Sequence, residues 1–196
     1  MERQTKLNRI RTSALRLLEK EGPEAVSMRR VAVDSGVTAM AIYHYFPSRK
    51  ALLEDITNEE FRKFGAHLSE LEDAGTIDQR FGRRLDAFVD FALARPRVFD
   101  YIFTEQRRGA RRFPKDFEDR KSPTFNSVAD LCSEAVNSGY FRRDNVWEMA
   151  LTIAAHTQGL IALYRGGRFA MSEKEFRKLC HRSSERVLRG LKKSSR

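Results

Sequence analysis

A chain of 196 residues with 41% hydrophobic content can bury one or two cores, and its net charge of +10 with a pI near 9.9 favours a polyanionic partner. No run of about 18 or more apolar residues occurs, and Met1-Glu2-Arg3-Gln4-Thr5-Lys6 opens an amphipathic helix instead of a signal peptide, so a membrane partner is not expected and a cytoplasmic location is. Cys132 and Cys180 lack Cys-x-x-Cys or Cys/His ligand spacing, which argues against a disulfide framework or a metal and leaves two reduced core thiols.

The leading helix carries Leu7, Ile10, Ala14, Leu17 and Leu18 at helical spacing on one face. Residues 27–46 then predict a helix, a three-residue turn and a second short helix, the shape of a DNA-reading motif. Ser27 can cap the first of these, Val31 and Ala32 face inward, and Gly36 supplies a left-handed backbone at its end. Thr38 caps the second. There Ala41, Ile42, Tyr45 and Phe46 share a packing side, while Ala39 with Tyr43 and Met40 with His44 form i, i+4 pairs on the other. A helix-turn-helix inserts the start of its second helix in the major groove, which puts Thr38, Ala39 and Met40 nearest base edges and Tyr43 and His44 beside phosphates.

Ser48 starts a long helix to about Glu72, whose first turn offers free amides plus Arg49 and Lys50 as a second anion site; Phe61, Phe64, Leu68 and Leu71 form its apolar stripe before Asp73-Ala74-Gly75. Ten cations against five anions over residues 1–50 account for half of the charge excess. Thr76 or Asp78 caps a helix bearing Phe81, Leu85, Phe88 and Ala92, and Pro96 starts a short apolar one with Val98, Phe99, Ile102 and Phe103. Gln106 to Lys121, with Arg107, Arg108, Arg111 and Arg112, reads as a basic connecting loop. Further helices are expected at Pro123 to Asn137, Asn145 to Arg165, and from the capping box Ser172-Glu173-Lys174-Glu175 onward, before a frayed Lys192-Lys193-Ser194-Ser195-Arg196. Ala150, Ala154, Ala155, Gly159 and Ala162 keep the 145–165 helix narrow, so that it and the last helix can form a four-helix bundle with a second copy, the plainer alternative being that they close the core of a monomer. Strand-like alternation is absent, and the fold class is all-α.

Val37-Thr38 and Ile42-Tyr43-His44-Tyr45-Phe46-Pro47-Ser48-Arg49-Lys50-Ala51-Leu52-Leu53 resemble the signature of the TetR (tetracycline-repressor) family of transcriptional regulators over about the first 65 residues. The family's usual lysine at the start of the fourth helix is Arg49 in this chain. The resemblance implies a three-helix DNA-binding domain over residues 1–47 and a helical effector-binding and dimerisation domain over 48–196, about nine helices in all. It implies a homodimer on a palindromic double-stranded operator, with reading helices about 34 Å apart, the leading expectation being a repressor released by a small molecule, while the sequence leaves activation or corepressor use open.

On that basis the DNA-binding residues are Ser27, Arg29, Thr38, Ala39, Met40, Tyr43, His44, Arg49 and Lys50. Arg29 would reach a guanine edge, Ala39 and Met40 would sense thymine methyls, and Tyr43, His44 and Arg49 would hold phosphates. Plainer readings stand beside these: a solvated helix face for Arg29, core packing for Met40 and a packing role for His44. An effector site would be walled by Phe88, Phe99, Phe103, Phe125, Trp147, His156, Gln158 and Tyr164, an aromatic set suited to an apolar or aromatic ligand, with an anionic one left open by the Arg107 to Arg112 run, although core packing is the expected role of most of these aromatics. No nucleophile elbow, metal pair or phosphate loop is present, so neither an enzyme nor a cofactor is expected. A basic architectural protein without sequence choice is the remaining alternative.

Overall fold

The computed structural model describes residues 2–71, 74–105 and 110–193. The expected positions Arg107, Arg108 and Asp73, and the end of the C-terminal tail, lie outside them. Among the described residues there are ten α-helices, a 3₁₀ turn and an isolated bridge between Phe141 and Lys192. No helix among them is long and apolar enough to cross a membrane.

The chain divides into two compact units. The first comprises Met1–Lys63 and Leu93–Ala110. Its elements are α1 (Glu2–Glu21), the 3₁₀ turn Pro23–Ala25, α2 (Met28–Ser35), α3 (Ala39–Tyr43), the first part of α4 (Arg49–Glu70) and α6 (Pro96–Phe103). The amphipathic faces read from the sequence converge here: Ile10, Ala14 and Leu18 of α1, Val31 of α2, Ile42 of α3 and Leu52 of α4 are all buried. Burying an aliphatic side chain of this size contributes roughly 1.5–3 kcal/mol, which is what makes five residues of α3 hold a helical turn that would not persist alone.

The second unit, Phe64–Ala92 with Arg111–Arg196, holds the rest of α4, most of α5 (Ile77–Ala94), the single turn α7 (Lys115–Glu118), α8 (Pro123–Asn137), α9 (Val146–Arg165) and α10 (Glu173–Leu191). Phe81, Phe125, Leu131, Phe141, Met149, Ile153 and Leu188 form its core. A Cβ on Gly65 would collide with the Pro123 ring, so glycine is what lets α4 and the start of α8 approach. Thr76 rather than Asp78 caps α5: Thr76 N–H donates to Gln79 Oε1 at 2.9 Å and Gln79 N–H donates back to Thr76 Oγ1 at 3.3 Å. Asp78 instead accepts from the Tyr140 hydroxyl and from Lys192 Nζ at 2.8 Å, anchoring the end of α10. The expected connecting loop contains one element that its basic composition concealed, α7, whose Phe117 ring stands edge-on to Phe125 with centroids 4.6 Å apart.

Candidate nucleic-acid interface

Two side-chain caps shape the helix-turn-helix. Ser27 Oγ accepts from Arg30 N–H at 3.2 Å and starts α2; Thr38 Oγ1 accepts from Ala41 N–H at 3.2 Å and starts α3. Between them Gly36 takes the left-handed conformation at φ 63°, and Val37 N–H closes back on Ala32 O at 3.1 Å, the hydrogen-bond pattern of a helix stop. Arg9 of α1 donates to the carbonyls of Ser35 and Gly36, pinning the turn from outside.

With Ile42 at 0% and Phe46 at 5% exposure on the inner side, the outer side of α3 is fixed by helical geometry. Thr38, Ala39, Met40, Tyr43 and His44 all face solvent, with Met40 69% and Tyr43 50% exposed. An exposed methionine on a five-residue helix contributes nothing to packing, and this removes the core reading of Met40. The surface continues onto α2, where Arg29 is exposed and Val33 is 80% exposed. Val33 was not singled out from the sequence, although its position four residues after Arg29 on a helix gave the signal. Arg30, by contrast, is drawn to Glu21 by two hydrogen bonds of 2.7 and 2.9 Å, and this contact holds the Glu21 carboxyl below its ordinary pKa.

Arg49 departs from expectation. Its Nε donates to Val26 O at 2.7 Å and its Nη2 to Pro23 O at 2.5 Å, with Glu24 3.4 Å away. Two of the guanidinium nitrogens thus engage the carbonyls of the 3₁₀ turn that leads into α2, and the side chain buttresses the motif, a role the expected phosphate contact did not include. We expect Arg49→Ala to cost about 1–2 kcal/mol of unfolding free energy, from two charge-assisted bonds in a half-exposed setting, and to leave the salt dependence of DNA binding unchanged. Chemical denaturation and a salt titration check the two halves. Neighbouring Lys50 is exposed, 3.6 Å from Glu54, and Ser48 Oγ accepts from Ala51 N–H at 3.1 Å, so the first turn of α4 retains one outward cation and a capped start.

The aromatic residues expected to wall an effector site are distributed over both units. Phe99 and Phe103 belong to the first unit, packed on each other at 4.9 Å, with Phe61 5.8 Å from Phe103. In the second unit Phe88 meets Phe64, Phe125 sits between Phe117 and Trp147, and Tyr164 stacks on Phe176 at 4.0 Å. Each ring has an intramolecular partner, and the core reading fits Phe99 and Phe125, which are buried, whereas Tyr164 is half-buried. Gln158 is half-buried on α9, as is His156. His156 Nε2 is buried with no hydrogen-bond partner among the described residues, and burial lowers the pKa of the ring. A cleft of about 490 Å³ lies elsewhere, between α5 and α10, lined by Gln79, Gly82, Arg83, Asp86 and His181, with His181 Nε2 2.7 Å from Asp86 Oδ1.

Both cysteines are buried, and burial pushes Cys132 up to about 12 and Cys180 up to about 11. Neither holds appreciable thiolate at neutral pH, so a thiol reagent such as DTNB should label none in the folded protein and both after denaturation. Among the described residues no group of three or more His, Cys, Asp or Glu could hold a metal ion.

Comparison with known proteins gives matches of three kinds. Residues 10–56 match the family model described as bacterial regulatory proteins, tetR family, and residues 84–187 match tetracyclin repressor-like, C-terminal domain. An HTH-type transcriptional repressor DrrR1 from Streptomyces coeruleorubidus is 33% identical over 69 residues, 35% of this chain and 25% of that one; the chain thus spans about a quarter of that relative's length. Among solved structures, a protein of unknown function from Rhodococcus sp. RHA1 superposes with a TM-score of 0.81 at 24% identity, covering 96% of each chain. The transcriptional regulator FadR from Bacillus subtilis, solved with stearoyl-CoA, gives 0.75 at 14% identity over 94% of this chain and 99% of its own. At such identities these structures establish the shared fold alone.

Proposed function

The chain belongs to the TetR family of bacterial regulatory proteins, and we propose that as such a transcriptional regulator it is a homodimeric repressor of a palindromic operator, released when a small molecule binds the helical second unit. The single observation that carries the DNA-reading part is the outward presentation of Ala39, Met40, Tyr43 and His44 on a helix whose opposite side, Ile42, is fully buried. Ala39 and Met40 offer apolar contact to thymine methyls, Arg29 offers a fork to guanine, and Thr38, Tyr43, His44 and Lys50 hold phosphates and so fix register.

Pairing is supported by α9. Its inner side buries Met149, Ala150, Ile153, Thr157 and Ile161, while Ala155, Gly159, Ala162 and Leu163 remain exposed on the other, Leu163 at 47%. Small residues of this kind let a second helix approach closely. A two-fold dimer is what a palindromic operator requires, one reading helix for each half-site. Of the residues considered for the effector, His156 keeps the strongest case, because a buried imidazole nitrogen without a partner costs about 1–3 kcal/mol that a ligand group would recover.

Selection of bound fragments from a random duplex pool tests the reading. The account expects an inverted-repeat consensus that outcompetes unrelated DNA by about 10³ or more. Equal competition by any duplex would favour binding without sequence choice.

A further inference from the structure

The reading face of α3 ends at Tyr43 and His44, but the next residue turns back onto the first helix. Tyr45 donates its hydroxyl to the backbone carbonyl of Arg3 at 3.2 Å, and the Arg3 guanidinium lies 5.8 Å from the centroid of the same ring. Two separate contacts thus tie the first turn of α1 to the residue that follows the reading helix.

The cations of that part of α1 are not equivalent. Lys6 is 2.7 Å from Glu2, which raises its pKa, and Arg9 donates to the carbonyls of Ser35 and Gly36. Arg3 is exposed, and among the described residues no carboxylate pairs with it. An aromatic face beneath a guanidinium orients the plane without neutralising the charge, so its donors stay available for a planar, two-oxygen acceptor. A phosphodiester is such an acceptor, and phosphates run beside any helix seated in the major groove.

We infer that Arg3 is a DNA-phosphate contact at the flank of each half-site, positioned by Tyr45, and that the first turn of α1 is therefore part of the DNA interface. The inference rests on α3 being the reading helix. Tyr45 couples the two elements, so the flank contact follows the register that α3 sets. It also gives the interface a strong backbone anchor that Arg49, engaged with Pro23 and Val26, does not supply.

The test uses full-length protein and two duplexes, one carrying the consensus selected by the wild-type protein and one unrelated, with anisotropy titrations between about 50 mM and 200 mM salt. For Arg3→Ala the slope of log affinity against log salt should become shallower by about 0.9 for each protomer bound, a loss of about eightfold per protomer at 0.1 M relative to 1 M, on both duplexes alike. Arg3→Lys should restore the slope. Tyr45→Phe keeps the ring and the charge but frees the Arg3 carbonyl, and should keep the slope while weakening binding about threefold. Thermal midpoints of the Arg3 variants should match the wild type, because the side chain is exposed. An Arg3→Ala slope equal to the wild-type slope, with the wild-type consensus intact, overturns the Arg3 contact and leaves the reading helix standing. A Tyr45→Phe affinity equal to wild type overturns the positioning role. A wild-type protein that selects no consensus takes both inferences down together.

Discussion

Met40→Glu should lower affinity for the selected operator at least about a hundredfold while leaving unfolding free energy within about 0.5 kcal/mol of wild type. The two parts follow from one fact, that Met40 is 69% exposed on a helix whose inner side is already filled by Ile42. The new carboxylate loses no packing contact, so folding is indifferent to it. At the DNA it stands among phosphates and base-edge acceptors, where a like charge costs several kcal/mol and appears in both half-sites. Mobility-shift titration together with denaturation separates the effects; a variant that binds as tightly as wild type would take Met40 out of the interface.

Arg95→Met should destabilise the first unit by about 2–3 kcal/mol. Arg95, at the start of α6, donates its Nε to Glu19 of α1 at 2.7 Å and its Nη1 to Glu60 of α4 at 2.5 Å, so a single guanidinium joins three helices. Burial would lower its pKa, but Glu60 and then Glu19 more than offset this and the net shift is upward. The Glu60 side chain is only 6% exposed, and removing its partner leaves a buried carboxylate with Lys63, 2.9 Å away, as its remaining cation. Losing one member of a buried pair typically costs about 3–5 kcal/mol, and the surviving Lys63 contact brings the expectation below that. Because the single tryptophan, Trp147, lies in the second unit, circular dichroism rather than its fluorescence should follow the transition. Glu60→Gln in the same chain should recover a large part of the loss, and a double mutant no more stable than Arg95→Met would show that the charge on Glu60 is not the cause.

What was legible in the sequence was what local chemistry decides. Ser27, Thr38 and the Ser172–Glu175 box each cap the helix they precede, because a cap needs only its own side chain and a backbone amide two or three residues on. The outward face of α3 was legible for a similar reason, since helical periodicity sorts Ile42 from Met40 before any tertiary contact is known. Arg49 was not. Its carbonyl partners lie 23 and 26 residues earlier, so the cation looked available when it was already engaged. The same limit applies to Phe99 and Phe103, whose apolar character is plain in the sequence but whose partner Phe61 is some forty residues away, in a unit that returns to the N-terminal helices after an excursion through the second. Arg3 carried no sequence signal either, since its role depends on a tyrosine 42 residues downstream.

The arrangement separates three tasks that one basic surface could have blurred. Ile42, Phe46 and the caps hold α3 in place, Arg49 and Arg9 brace the backbone around it, and the remaining outward groups are the ones proposed to meet DNA. Substitutions in the first two sets should act mainly through stability, and substitutions in the third should change affinity or sequence preference at constant stability.

Repeating the duplex selection with Met40→Gln tests this division most directly. Glutamine can pair with adenine N6 and N7, so the account predicts a consensus changed at one position in each half-site, mirrored about the dyad, with the rest retained. A consensus identical to that of the wild-type protein would mean that the outer side of α3 does not touch base edges, and would contradict the account.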